Sequence, residues 1–268
     1  MAPTVGLTGL ISSSDTGKPL HYLINSGTDP YSASLTIAGE SFDTTPFAST
    51  APVAATNIAG LQSWSGSFGG RFPAGGAASG HLGLVTFGSG YATNVRGWTI
   101  TASIAALDVT AQASTAPTWM SYLPGLYTYS GSYECLVDDT TAISSCTSGS
   151  ATFRISTEST NDNELAGSIV VTGVSVNGQV GDRWLVTVSF VVSGVLTTDG
   201  DSSLFNVDSA GTPDDLETPE ATAISIRVDG SRTYSGNAFE TGWTISSAIG
   251  SQVTVNVNFQ GTGALTIG

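Results

Sequence analysis

Two stretches of the chain return later in the same chain. Residues 32–68 lie on residues 97–133, 65 positions later, without a gap and with 13 of 37 positions identical. Asp43-x-Thr45 comes back as Asp108-x-Thr110, Gly60-Leu61 as Gly125-Leu126, and Ser65-Gly66-Ser67 as Ser130-Gly131-Ser132. A second match has an offset of 69: residues 172–197 lie on 241–266, again without a gap, with nine of 26 identical. Here Phe190 and Gly194 return as Phe259 and Gly263. The order is front, front, back, back, whereas a plain tandem repeat would alternate front and back. It predicts nesting. An inner domain at 92–198 has its front followed directly by its back, and it interrupts an outer domain made of 1–91 plus 199–268. Each is of ordinary domain size. The alternative is strand-level repetition within one large sandwich.

The repeated segments alternate with period two. Val186, Val188 and Phe190 interleave with Thr187 and Ser189. Val253, Val255, Val257 and Phe259 interleave with Thr254, Asn256 and Asn258. Trp98, Ile100, Ala102 and Ile104 interleave with Thr99, Thr101 and Ser103. Alternation of β-branched and aromatic residues with polar ones marks half-buried antiparallel strands. Gly and Pro punctuate them at short intervals. The expected class is all-β, two antiparallel β-sandwich domains with little helix; residues 139–144 are the one weak helix candidate. Residues 199–220 hold seven of the 21 acids and read as a solvated linker between inner and outer domains.

Charge restricts the partners. Seven Lys+Arg stand against 21 Asp+Glu, a formal net charge of −14 and a pI near 4.1. Gripping nucleic acid through its phosphates needs clustered Lys and Arg, and so does docking on an anionic membrane. The residues after Met1 lack a basic region followed by an apolar run, so no secretory leader is expected. No apolar run approaches the length of a membrane span. Two cysteines, Cys135 and Cys146, do not make a disulfide framework, and their spacing leaves both a hairpin bridge and two buried thiols open.

Catalytic and cofactor signatures are missing from the sequence. His21 and His81 are too few and too isolated for a metal cluster. No Gly-x-Ser-x-Gly elbow, P-loop or dinucleotide fingerprint occurs. The acid pairs Asp138/Asp139 and Asp214/Asp215 read as turn or linker residues, since neighbours on a strand face opposite ways. Asp199-Gly-Asp201 lacks the rest of a calcium loop. The expectation is a protein without enzymatic activity, cofactor or metal.

The repeated residues have structural readings. Asp43, Thr45, Asp108 and Thr110 can accept backbone N–H bonds at strand exits. Gly60 and Gly125 are expected to supply positive φ where a loop re-enters a strand, and Leu61 and Leu126 to anchor the core. The loops at 45–59 and 110–124 are long for a compact domain, and such loops usually carry a contact. The second loop carries Trp119, Met120 and Tyr122, residue types enriched at interfaces, which are expected either at a contact between subunits or folded back on their own sheet.

The order of these elements resembles the tail tube (major tail) proteins of long-tailed bacteriophages. The shared pattern is a strand, Asp-x-Thr, a loop of about 14 residues, Gly-Leu, a strand with Ser-Gly-Ser, and far downstream an amphipathic strand ending Phe-x-x-(Ser/Thr)-Gly-x-Leu. The inner domain looks like a complete single-domain member, and the likeness extends over nearly all of 32–268. The outer copy departs after its second strand, where Gly69-Gly70-Arg71-Phe72 leads to the Gly/Ala-rich 73–80; the inner copy runs to Asp138 instead. The resemblance implies a sandwich that adds strands to a ring, with rings stacked into a tube. Such rings usually hold six domains, so a duplicated chain implies a trimeric ring with pseudo-sixfold symmetry. It implies a place in the virion tail after assembly in the host cytoplasm, with tape measure and terminator proteins as neighbours. Double-stranded DNA would pass through without being bound. Other readings are a tube terminator or hub of the same fold, a secreted β-sandwich adhesin or surface protein, and a carbohydrate-active enzyme.

Overall fold

The computed structural model describes residues 11–13, 24, 29–43, 57–71, 85–87, 90–91, 95–111, 119–137, 148–154, 164–178, 183–198, 220–227 and 232–268. They form thirteen strands: β1 (Ile11–Ser13), β2 (Asp29–Asp43), β3 (Asn57–Arg71), β4 (Val85–Phe87), β5 (Gly90–Tyr91), β6 (Val95–Asp108), β7 (Tyr122–Val137), β8 (Ser148–Arg154), β9 (Glu164–Asn177), β10 (Trp184–Thr198), β11 (Thr222–Arg227), β12 (Thr233–Ala248) and β13 (Thr254–Ile267). The class is all-β, as the alternation predicts. The helix candidate at 139–144, the linker at 199–219 and Cys146 lie outside the described residues.

Every ladder between strands is antiparallel, and the hydrogen-bonded order is β2-β3-β13-β12-β6-β7-β10-β9-β8-β4-β5, with β11 on β12 and β1 on β11. Period two decides which side chains are covered. Trp98, Ile100, Ala102 and Ile104 of β6 are buried, and so are Val255, Val257 and Phe259 of β13. Cys135 is buried among them. The sheet curls over itself. Trp98 of β6 and Phe153 of β8 have three strands between them in hydrogen-bonded order, yet their rings are 5.7 Å apart. Phe153 also stacks on Phe190 of β10 at 5.1 Å.

Irregularities in the ladders recur at the two sequence offsets. In β2–β3 the register shifts between Pro30 and Ser32 and between Gly39 and Ser41. In β6–β7 it shifts at Val95/Gly97 and Ile104/Ala106, each 65 positions later. In β9–β10 the shifts fall at Ser189/Phe190 and Ser193/Thr197, and in β12–β13 at the positions 69 later. A bulge bends its strand and raises the local twist, so matched bulges give matched curvature. Each front pair is also hydrogen-bonded to a back strand: β3 to β13, and β7 to β10.

The close packing repeats as well. A Cβ on Gly131 would come within 2.6 Å of Phe190 Cζ and strike the Thr99 carbonyl oxygen. The counterpart Gly66 faces Phe259 and the Ser34 carbonyl oxygen in the same way. These four contacts are related by the offsets 65 and 69, so the two back strands meet the two front pairs through the same glycine–phenylalanine packing. Where the outer copy departs from the pattern, β3 continues through Gly69 and Gly70, paired with β13.

Candidate assembly interface

The two sets of repeated strands meet at one ladder, β12 against β6. Its register runs from Gly242↔Ser103 through Trp243↔Ala102, Thr244↔Thr101, Ile245↔Ile100 and Ser246↔Thr99 to Ala248↔Gly97. On the inner face the large Trp243 stands opposite the small Ala102, and Ile245 opposite Ile100; all four are buried. Full burial of such apolar side chains stabilises by roughly 1.5–3 kcal/mol each. On the outer face hydroxyls pair across the strands, Thr101 Oγ1 to Thr244 Oγ1 at 3.1 Å and Thr99 Oγ1 to Ser246 Oγ at 3.3 Å. The joint is head-to-tail: a back strand of one set against a front strand of the other.

Just beyond this ladder sits a buried carboxyl. The Tyr127 hydroxyl of β7 donates to Glu240 Oε1 of β12, and Glu240 Oε2 has no hydrogen-bond partner among the described residues. Burial is the main cause that raises the Glu240 pKa from 4.5 to about 7, against the Tyr127 hydrogen bond, which lowers it. The Tyr127 hydroxyl is itself pushed up, first by desolvation and then by the Glu240 charge. Its ring stacks on Tyr129 at 5.5 Å, and Tyr129 lies 6.1 Å from Trp243. No sequence signal marked Glu240, because its counterpart 69 positions earlier is Val171.

Trp119, Met120 and Tyr122 lie against the other set of strands in the same chain. The Met120 N–H donates to the Gln62 carbonyl at 2.7 Å, and its carbonyl accepts from the Gly263 N–H at 3.0 Å. Trp119 forms a parallel bridge with Gln62, and the Tyr122 N–H donates to Thr262 Oγ1 at 3.0 Å. The segment that leads into β7 thus clasps β3 and β13, and these contacts are made within one chain. The positive φ of Gly263 (72°) belongs to this clasp, where its carbonyl accepts from Trp64 Nε1 at 3.1 Å.

The repeated turn residues have separate fates. Asp108 Oδ1 accepts the Thr110 N–H at 2.9 Å. Hydrogen bonding with the Thr110 side chain, and then with its N–H, holds the Asp108 pKa below its ordinary value. Thr110 Oγ1 accepts the Ser121 N–H at 2.8 Å, which ties the two ends of the loop together. Asp43 ends β2, and Thr45 lies outside the described residues. Gly60 and Gly125 do not have positive φ; that conformation falls to Gly194, Gly250 and Gly263. Gly60 and Gly125 sit instead inside bulged strand segments, where a Cβ on Gly125 would come within 3.0 Å of the Ala105 carbonyl oxygen. Close approach, not left-handed backbone, is what they permit. Leu126 is no core anchor: it is 87 % exposed. Tyr129, Tyr133 and Cys135 take the buried face of β7, and the bulge at Gly125-Leu126 turns Leu126 away from it. Leu61 is only half-buried. Phe190 and Phe259 are core residues in both sets.

Among the described residues no helix is long and apolar enough to cross a membrane, and no group of three His, Cys, Asp or Glu is placed to hold a metal ion. No family model matches the chain, and no curated protein matches it. Among solved structures it is similar to a chain from the tail of an empty GTA (gene transfer agent) particle, refined helically with C6 symmetry. The identity is 16 %, the TM-score 0.37, and the match covers 44 % of this chain and 96 % of that one. At this score the likeness carries no structural argument.

Proposed function

We propose that this protein is a structural subunit of a phage-type tail tube, built from two nested tail-tube-like domains, 92–198 within 1–91 plus 199–268. Three chains form a ring of six domains, and rings stack into a conduit that DNA passes during ejection. The observation that carries this reading is the head-to-tail β12–β6 joint. A heterologous contact between equivalent units has no built-in end, so it yields rings when the rotation closes and filaments when it does not. The matched bulges and the matched glycine–phenylalanine contacts support equivalent units on the two sides of that joint. The charge supports the conduit: at −14 per chain, a wall of such subunits repels phosphate and lets DNA slide. The acids are not matched by basic clusters that would hold it.

Electron microscopy of the concentrated protein tests the reading. Rings with six lobes, and tubes built of them, are expected, with three chains per ring by mass measurement. A ring of six chains would sink the trimer. Monomers at every concentration, in a protein folded by circular dichroism, would sink the tube.

A further inference from the structure

We infer that the β9 edge of one chain pairs with the β2 edge of a second copy, in the register already present at the joint between β12 and β6. This rests on the tube reading above and specifies its contact.

The two edges are the unpaired counterparts of the internal joint. β12 carries β13 on one edge; its other edge carries β11 along 233–238 and β6 along 242–248. β9 carries β10 on one edge, and its other edge carries β8 along 164–170 only. Residues 171–177, which correspond to 240–246, have no described strand beside them. At the far end of the path β2 pairs, among the described residues, with β3 alone, whereas its counterpart β6 has β12 on its second edge.

Transferring the register by the offsets 69 and 65 pairs Gly173 with Ala38, Val174 with Ile37, Ser175 with Thr36, Val176 with Leu35 and Asn177 with Ser34. The side chains fit this transfer on both faces. Val174 and Val176 are each 41 % exposed and Ile37 is 48 % exposed, while their counterparts Trp243, Ile245 and Ala102 are at most 1 % exposed. Trp243 opposite Ala102 becomes Val174 opposite Ile37, a trade of large-with-small for two middle-sized side chains. Ile245 opposite Ile100 becomes Val176 opposite Leu35. On the outer face the Thr244–Thr101 hydroxyl pair becomes Ser175 with Thr36, and Ser246–Thr99 becomes Asn177 with Ser34. An exposed edge with apolar residues on its inner face is a template for pairing with another chain. The wrong partner is β9 on β9 or β2 on β2, and neither reproduces the internal joint.

Cysteine cross-linking reads the register directly. Chains carrying Ser175→Cys are mixed with chains carrying Thr36→Cys and oxidised; Val174→Cys with Ile37→Cys is the second matched pair. Directly opposed Cβ atoms in one of these two pair types fall within disulfide range. The matched mixtures should cross-link about tenfold more than Ser175→Cys with Leu35→Cys, whose side chains face opposite ways. All five positions are at least partly exposed, and circular dichroism with wild-type oxidised in parallel controls for folding and for Cys135 and Cys146. Electron microscopy of the same samples separates the claims. Rings with no cross-link in either matched pair overturn the register and leave the tube reading standing. Matched cross-links in open filaments uphold the register and overturn the closed ring. Self-cross-linking of Ser175→Cys alone shows β9 on β9 and overturns the inference.

Discussion

The strands β2, β3, β13 and β12 and the strands β6, β7, β10 and β9 have the same ladders and the same bulges, but fill them differently. In the first set Trp64 of β3 is fully buried, and it occupies space that two glycines leave open. A Cβ on Gly261 would lie inside the indole, and one on Gly236 would come within 2.7 Å of it. In the second set the counterparts of Trp64 and Gly261 are Tyr129 and Val192. One set puts its volume on the front strand and the other shares it across the ladder. Close-packed cores tolerate such exchanges when total volume is kept. The backbone path is thus more durable than the identity of the side chains that fill it.

The part that does not vary between the sets is where damage should be greatest. Phe190→Ala and Phe259→Ala each remove a fully buried ring packed on a glycine. Each should cost about 4 kcal/mol in urea unfolding. Equal losses support equivalent sets, whereas one variant costing under half the other would break the comparison. Next comes Gly261→Val, which imports one half of the second set's solution and drives a side chain into Trp64. A loss of about 3 kcal/mol is expected, and adding Trp64→Tyr should recover part of it. No recovery in the double variant would show that the two fillings are not exchangeable.

Glu240 sharpens the comparison from the other side, since Val171 replaces it in the second set. Burial holds its proton up to about pH 7, while the carboxyl ionises near 4.5 when exposed. Folding therefore takes up a proton between those values. The stabilisation is full below pH 4.5 and is lost as pH rises through 7. The decline should be about 3 kcal/mol, and Glu240→Gln should flatten it and raise stability at pH 8. Parallel curves for the two proteins would refute the assignment. The smallest effect is expected at Leu126→Ser. An 87 % exposed side chain should change stability by less than about 0.5 kcal/mol, whereas a core anchor would cost several times that.

Some of this was legible in the chain and some was not. Gapless repeats at 65 and 69 anticipated the matched bulges, because a bulge is a local count of residues and a gapless match preserves the count. The glycines were harder to read. Gly60-Leu61 and Gly125-Leu126 looked like a turn and an anchor, yet they form bulges, with positive φ appearing at Gly194 and Gly263 instead. Sequence marks a glycine but does not say whether it serves φ or close approach. The segment holding Trp119, Met120 and Tyr122 looked like a reach toward a neighbour. The contacts the fold gives it are with β3 and β13 of the same chain.

Alternation and repetition were enough to establish an all-β antiparallel chain with equivalent front and back segments, because side-chain period and residue count are one-dimensional properties. Which strands meet across the chain is not such a property. The β12–β6 joint brings together residues more than 130 positions apart, so only the folded sheet reveals it. That same joint leaves Glu240 buried beside Tyr127, while residues 171–177 of β9 and the second edge of β2 have no described partner. Burial and edge exposure depend on what lies alongside, and no local pattern carries that information.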